Sequence, residues 1–194
     1  MYKNYIFDLD GTLLNTLADL ASSTNYALRQ YGMPEHSVDD VRRFVGNGVG
    51  KLIERAIPDG LANPQYEDVL ATFRKHYLIH SLDTTSPYPG IEELLHTLRS
   101  MGCNVAVVSN KFYNATVELC QHFFADTVFE AMRQLGVTAE DTVYVGDSDV
   151  DVATARNSGI PCISVLWGFR DRDFLVEHGA TTFVNTPEEI LNKC

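Results

Sequence analysis

Apolar positions follow two rhythms along this chain. Tyr5–Phe7 is a short β-rich run that stops at Asp8 and predicts a buried strand. From about Asn15 to His80 the rhythm is helical. Leu17, Leu20, Ala21, Thr24, Leu28 and Tyr31 share one face, and Gly32 stands where a helix would stop. Ser37 opens a second helix, with Asp40 three residues on as a capping box. Val49–Ile57 predicts a third helix, ended by Pro58, and Tyr66, Val69, Leu70, Phe73 and Tyr77 mark a fourth. No strand is expected in this stretch.

Beyond it, helices and uninterrupted apolar strands alternate. Ile91, Leu94, Leu95 and Leu98 predict a helix closed by Gly102, followed by a strand at Val105–Val108 and a helix at Asn114–Phe123. Thr142–Val145 and Cys162–Leu166 read as strands, with a helix at Asp149–Asn157 between them. Asp171–His178 is a further helix and Thr182–Val184 a short strand. Thr186 is expected to cap a last helix, with Pro187 at its first position and Glu189 completing a capping box. Continuous strands separated by helices indicate a parallel sheet covered on both faces. The expected fold is α/β, a doubly wound parallel sheet in residues 1–14 and 82–194, with a helical domain, 15–81, inserted after the first strand.

Charge narrows the partners. The chain has 194 residues, 15 Lys and Arg against 26 Asp and Glu, and a net charge of −11. So acidic a surface argues against a nucleic-acid backbone or an anionic membrane as partner. A site for an anionic substrate must then bring its own local positive charge. Cys103, Cys120, Cys162 and Cys194 form no metal-binding spacing and read as reduced thiols of a cytoplasmic protein. The acids in MYKNYIFDLDGTLL exclude a signal peptide, and no apolar run is long enough to span a bilayer.

Three strand ends carry candidate chemistry. Asp8-Leu9-Asp10-Gly11-Thr12 follows the first strand, and residues two apart in an extended chain project to one side, so Asp8 and Asp10 face the same space. Two carboxylates at a buried strand end repel each other and call for a cation. The run Val143–Asp151 repeats the arrangement, with Asp147 at the strand end and Asp151 one helical turn later. Hard oxygen ligands from two strand ends suit Mg²⁺. Asp149 reads instead as a charge complementing a helix N-terminus. Ser109, Asn110 and Lys111 follow the Val105–Val108 strand, where a hydroxyl and backbone amides can bind a phosphate oxygen. Gly46, Gly48 and Gly50 match no phosphate-loop spacing and suggest a flexible loop. Lys51, Arg55, His76 and His80 read as helix surface, and Phe73 and Tyr77 as helical core.

In order and spacing, FDLDGT, VVSN and GDSDVD resemble the first, second and fourth motifs of the haloacid dehalogenase superfamily of aspartate-dependent phosphatases. The helical insertion is similar to that superfamily's small α-helical cap. Phe44–Leu52, Tyr88-Pro89-Gly90 and Trp167-Gly168-Phe169-Arg170 are similar to segments of phosphoglycolate phosphatases. The resemblance implies a Mg²⁺-dependent phosphatase of a small phosphorylated metabolite, 2-phosphoglycolate foremost. It implies Asp8 as nucleophile and Asp10 as general acid and base. Mg²⁺ would be held by Asp8, the Asp10 carbonyl and Asp147, with Asp151 supporting them. Ser109, Asn110 and Lys111 would bind phosphate, and Thr12 would brace the loop. The alternatives are a sugar-phosphate mutase of the β-phosphoglucomutase kind and a weakened binding module on the same fold.

One departure stands out. The family pattern supplies a lysine between the second and fourth motifs, yet Phe112–Asp147 holds no lysine and no proline. The helix at Asn114–Phe123 is followed at once by another helical pattern at Val128–Leu135, without the strand that a doubly wound sheet requires. The broken alternation predicts that a segment is missing near Ala125–Val128, and the resemblance implies that it would hold the sheet's edge strand and the phosphate-binding lysine.

Overall fold

A computed structural model describes residues 2–124 and 139–193. Its central sheet has five strands in the order β4-β1-β5-β6-β7: β1 (Asn4–Phe7), β4 (Asn104–Val107), β5 (Thr142–Gly146), β6 (Cys162–Val165) and β7 (Phe183–Val184). Every pairing within it is parallel, with Phe7 in register with Val107 on one side and Val145 on the other. β5 is buried along its whole length, as a sheet covered on both faces demands.

Two short strands, β2 (Leu14–Asn15) and β3 (Ser86–Pro87), pair where the chain leaves this sheet and returns to it. The chain divides into two compact units. The first holds Met1–Asn15, Pro87–Ser109 and Cys120–Cys194, and the second Thr16–Ser86 and Asn110–Leu119.

The second unit contains α1 (Leu17–Gln30), α2 (Val38–Phe44), α3 (Gly48–Ala56) and α4 (Tyr66–His80). Its core gathers Leu20, Leu28, Val41, Ile53, Val69, Phe73 and Tyr77, the residues that helical spacing puts on inward faces. Ser37 caps α2 in a full capping box with Asp40. At the start of α1, Asp19 is buried at 3% exposure. Its carboxylate accepts hydrogen bonds from the backbone N–H groups of Thr84 (3.1 Å) and Thr85 (2.9 Å) and from both threonine hydroxyls (2.5 and 2.8 Å). Ala115 also belongs to this core, so the chain just after Asn110 completes it.

In the first unit the helices are α5 (Ile91–Ser100), α7 (Asp149–Asn157), α8 (Arg172–Glu177) and α9 (Glu188–Leu191); α6 (Tyr113–Phe124) begins in the second unit and ends in the first. The expected cap of α9 differs in detail. Pro187 is the residue before its first turn, without a side-chain cap bond, and the Glu189 carboxylate accepts from the Asn185 backbone N–H (2.9 Å) rather than from Thr186. Glu reaches one residue further back, because Pro187 already holds a helical backbone. The pattern at Val128–Leu135, and the strand and lysine expected between Ala125 and Val128, lie outside the described residues.

Strand order fixes where a ligand can sit. From β1 the chain proceeds to β4 on one side and later to β5, β6 and β7 on the other. Such a reversal opens a crevice at the carboxyl ends of the strands. Asp8, Ser109 and Asp147 all follow such ends.

Candidate active site

Backbone hydrogen bonds level the three strand ends. The Asp8 N–H donates to Val145 O and the Val108 N–H to Phe7 O, both at 2.9 Å. After Asp8 the chain turns sharply, and the N–H groups of Leu13 and Leu14 return to Leu9 O (3.1 and 3.0 Å). Gly11 makes the turn possible: its φ is +89°, and a Cβ there would run into the Asp147 carboxylate. Leu9, Leu13 and Leu14 are fully buried and anchor the loop on the core.

Asp147 is the most enclosed acid of the group, at 1% exposure. Its Oδ2 accepts a 2.6 Å bond from the Phe169 N–H, and its Oδ1 lies 3.4 Å from the Thr12 hydroxyl that donates to it. Gly168 lets the Phe169 amide come so close, because a Cβ at 168 would overlap Asp147 and the Gly11 carbonyl. The Trp167 indole N–H donates to Thr12 O at 3.0 Å and closes the loop from the other side.

Asp151 is buried too. Its Oδ2 accepts from the Asp147 N–H (3.0 Å), the Ser148 N–H (2.9 Å) and the Ser148 hydroxyl (2.7 Å). Ser148 and Asp151 thus form the capping box of α7, and the same carboxylate fixes the backbone of Asp147. The Tyr144 hydroxyl, on β5, is a further donor to Asp151.

One carboxylate oxygen each from Asp8, Asp147 and Asp151 lies within 4.8 Å of the others. This is the one group of three or more metal-binding side chains among the described residues. Burial, followed by repulsion from Asp151, Asp147 and Asp10, pushes Asp8 well above the ordinary carboxylate range. Burial and then Asp151 raise Asp147 as well, against the lowering influence of the Phe169 amide and the Arg170 charge. Burial raises Asp151, with its bonds from Ser148 as the main counterweight. Three hard-oxygen donors crowded against their own repulsion fit a small divalent cation such as Mg²⁺.

The other expected residues are distributed as follows. Asp10 sits across the turn from Asp8, near enough for its charge to raise that neighbour. Ser109 is partly exposed at the end of β4. Asn110 and Lys111 belong to the helical unit, where Asn110 is exposed and Lys111 buried. His76 stacks between Tyr26 and His80 (4.0 and 4.2 Å between ring centres), and His80 meets Asp83 at 2.8 Å.

Sequence reasoning named Trp167–Arg170 and Val143–Asp151 as segments, yet gave no role to the Phe169 amide, to Gly168 or to the Tyr144 hydroxyl. The Ser148-x-x-Asp151 spacing was a readable capping signal for Asp151. A backbone amide brought in from a distant loop leaves no residue signature at all.

The model of the haloacid dehalogenase-like hydrolase family matches residues 2–159. A phosphoglycolate phosphatase of Aquifex aeolicus is 32% identical, with 84% of each chain covered. One from Cereibacter sphaeroides is 33% identical, with 85% of each covered. The solved structure of a candidate phosphoglycolate phosphatase from Lactobacillus delbrueckii subsp. bulgaricus superposes with a TM-score of 0.91 at 34% identity, over 99% of this chain and 98% of that one. A phosphoglycolate phosphatase of Pseudomonas syringae pv. tomato is 29% identical, with 99% of this chain and 79% of the relative covered.

Proposed function

Because the chain belongs to the haloacid dehalogenase-like hydrolases, we propose that it is a Mg²⁺-dependent phosphatase of a small phosphomonoester, with 2-phosphoglycolate as substrate. The observation that carries this reading is the convergence of Asp8, Asp147 and Asp151 at the strand-order reversal, with Asp10 across the turn. The names of the similar proteins support the choice of substrate.

In this reading an Asp8 oxygen attacks phosphorus in line. A bond forms between Asp8 and phosphorus as the bond to the leaving alkoxide breaks, and Asp10 gives that alkoxide its proton. Asp10 then takes a proton from the water that attacks the aspartyl-phosphate, releasing phosphate and free Asp8. Asp8, the Asp10 carbonyl and Asp147 would hold the cation, and Asp151 keeps Asp147 oriented through its backbone N–H. When bound, Mg²⁺ supplies the positive charge that lets Asp8 be anionic beside its neighbours and beside a phosphate. Ser109, Asn110 and Lys111 hold the transferring phosphoryl group, and Thr12 steadies Asp147. We assign the enzyme to the cytoplasm; the cysteines at 103, 120 and 162, none in a disulfide, accord with that, burial pushing the Cys120 thiol up to about 11.

The test is phosphate release from a panel of phosphomonoesters with and without Mg²⁺, comparing wild type with Asp8→Asn. The amide keeps the shape but cannot attack, so turnover should fall by more than about a thousandfold while the circular dichroism spectrum is unchanged. Wild-type turnover in the variant, with deamidation excluded, overturns the mechanism.

A further inference from the structure

We propose that Tyr77, on α4, is the positioning residue for the phosphate-binding cation: the face of its ring holds the Lys111 ammonium in place. The proposal rests on the phosphatase reading above and deepens it.

Lys111 is only 8% exposed. Lysine rarely enters a core, because its ammonium is a compact, strongly hydrated charge. Here its Nζ stands 4.5 Å from the centre of the Tyr77 ring, within the range of a cation–π contact, which gains strength where water is excluded. Tyr77 cannot yield. It is fully buried, its ring stacks on Phe73 one turn earlier at 5.6 Å and 8°, and Phe112 meets it nearly edge-on at 6.0 Å and 78°.

The backbone on either side of Lys111 is held as firmly. Phe112 O accepts from the N–H groups of Ala115 and Thr116 (3.1 and 3.2 Å), which starts α6. On the other side the chain at Gly48 comes so near that a Cβ there would stand 3.0 Å from Asn110 O. All these residues belong to the helical unit.

Chain length ties this arrangement to Ser109, which binds phosphate in the reading above. Lys111 stands two positions after Ser109, so their Cα atoms are at most about 7 Å apart. Phe112–Asp147 contains no lysine. A lysine free in solvent would lose the freedom of four side-chain bonds on meeting a phosphate. One already laid on an aromatic face has lost most of it beforehand. Helical packing thereby converts a flexible charge into an ordered one.

The experiment uses p-nitrophenyl phosphate with Mg²⁺, and inorganic phosphate as competing ligand. Lys111→Ala and Tyr77→Leu should each raise KM and the phosphate inhibition constant about tenfold, with kcat less affected. The double variant should be no worse than either single one, because both remove one interaction. Tyr77→Phe keeps the ring face and should restore wild-type KM within about twofold. Val41→Ala, in the same core on α2, serves as the packing control: it should lower Tm yet leave KM alone. Multiplying effects in the double variant, a KM rise in Val41→Ala matching that in Tyr77→Leu, or a Tyr77→Phe variant no better than Tyr77→Leu would each overturn the proposal. If Lys111→Ala leaves KM unchanged while Asp8→Asn is inactive, the positioning role falls and the phosphatase reading stands. If wild type releases no phosphate, both fall.

Discussion

Two buried aspartates, one in each unit, show how differently the same side chain is used. Asp19 in the helical unit is 3% exposed, and its neighbours are donors: two backbone N–H groups and two threonine hydroxyls converge on it. Asp147 in the α/β unit is 1% exposed. It has one short bond from the Phe169 amide, a long one from Thr12 and the more distant charge of Arg170, and beyond these it faces Asp8 and Asp151. Asp19 is a satisfied structural link between the start of α1 and the segment that follows α4. Asp147 keeps an unmet demand for positive charge. A buried acid ringed by donors stabilises a fold, whereas a buried acid ringed by acids marks a place where something else must bind.

The sharpest way to break this contrast is to delete the acid that faces acids. Asp147→Ala should raise the Mg²⁺ concentration needed for half-maximal activity by more than about a hundredfold, above the range typical of residues that only support a ligand. Asp149→Ala, in the first turn of α7, should shift it within about threefold. A magnesium titration of both variants decides, and equal shifts would mean the wrong acid has been assigned to the cation.

Deleting the satisfied acid should do the opposite. Asp19→Ala strands several donors in a buried place and should cost about 3 kcal/mol of stability. In a chain of this size that lowers Tm by roughly 10 °C. The magnesium requirement should stay as in wild type. A thermal melt and a magnesium titration on the same sample separate the two roles, and a changed requirement with an unchanged Tm would reverse the assignment.

The smallest effect concerns pH. Asp8 and Asp147 have folded values above the ordinary carboxylate value, Asp147 up to about 7. The folded state therefore binds more protons than the unfolded one across this window. Metal-free protein should be most stable on the acid side and lose stability as pH rises from about 4 through the Asp147 value of about 7, and for as long as Asp8 is still giving up its proton. Melts in EDTA between pH 5 and 8 should show this fall. Saturating Mg²⁺, or Asp147→Asn, should flatten much of it. A Tm in EDTA that climbs over the same interval would contradict the crowding of charge at the site.

Sequence rhythm carried the fold a long way. Val69, Leu70, Phe73 and Tyr77 share a helical face, and all four are buried on α4. The uninterrupted strand at Thr142–Val145 is the fully buried β5. Three acids at two strand ends could be recognised because residue type and strand position sufficed to place them. What escaped depends on contacts between distant parts of the chain. The Phe169 amide reaches Asp147 across 22 residues, and it can do so only because position 168 lacks a side chain. Asp19 meets Thr84 and Thr85 across some 65 positions, and nothing in LADLASS distinguishes it from a solvated acid at a helix start. Thr186 was a plausible cap by residue type, but the bond formed one residue earlier, at Asn185.

The membership of Asn110–Leu119 in the helical unit bears on how this protein can be made and remade. On a ribosome, α1 to α4 emerge well before the stretch that brings Ala115 to their core, so this unit cannot finish packing until the second strand of the main sheet, β4, has also left the tunnel. For the engineer, the helical block is not a cassette bounded by residues 16 and 86. A transplant of those residues alone would leave behind one of the buried side chains of its core. An exchange with a relative should carry 110–119 along, moving two stretches of gene together.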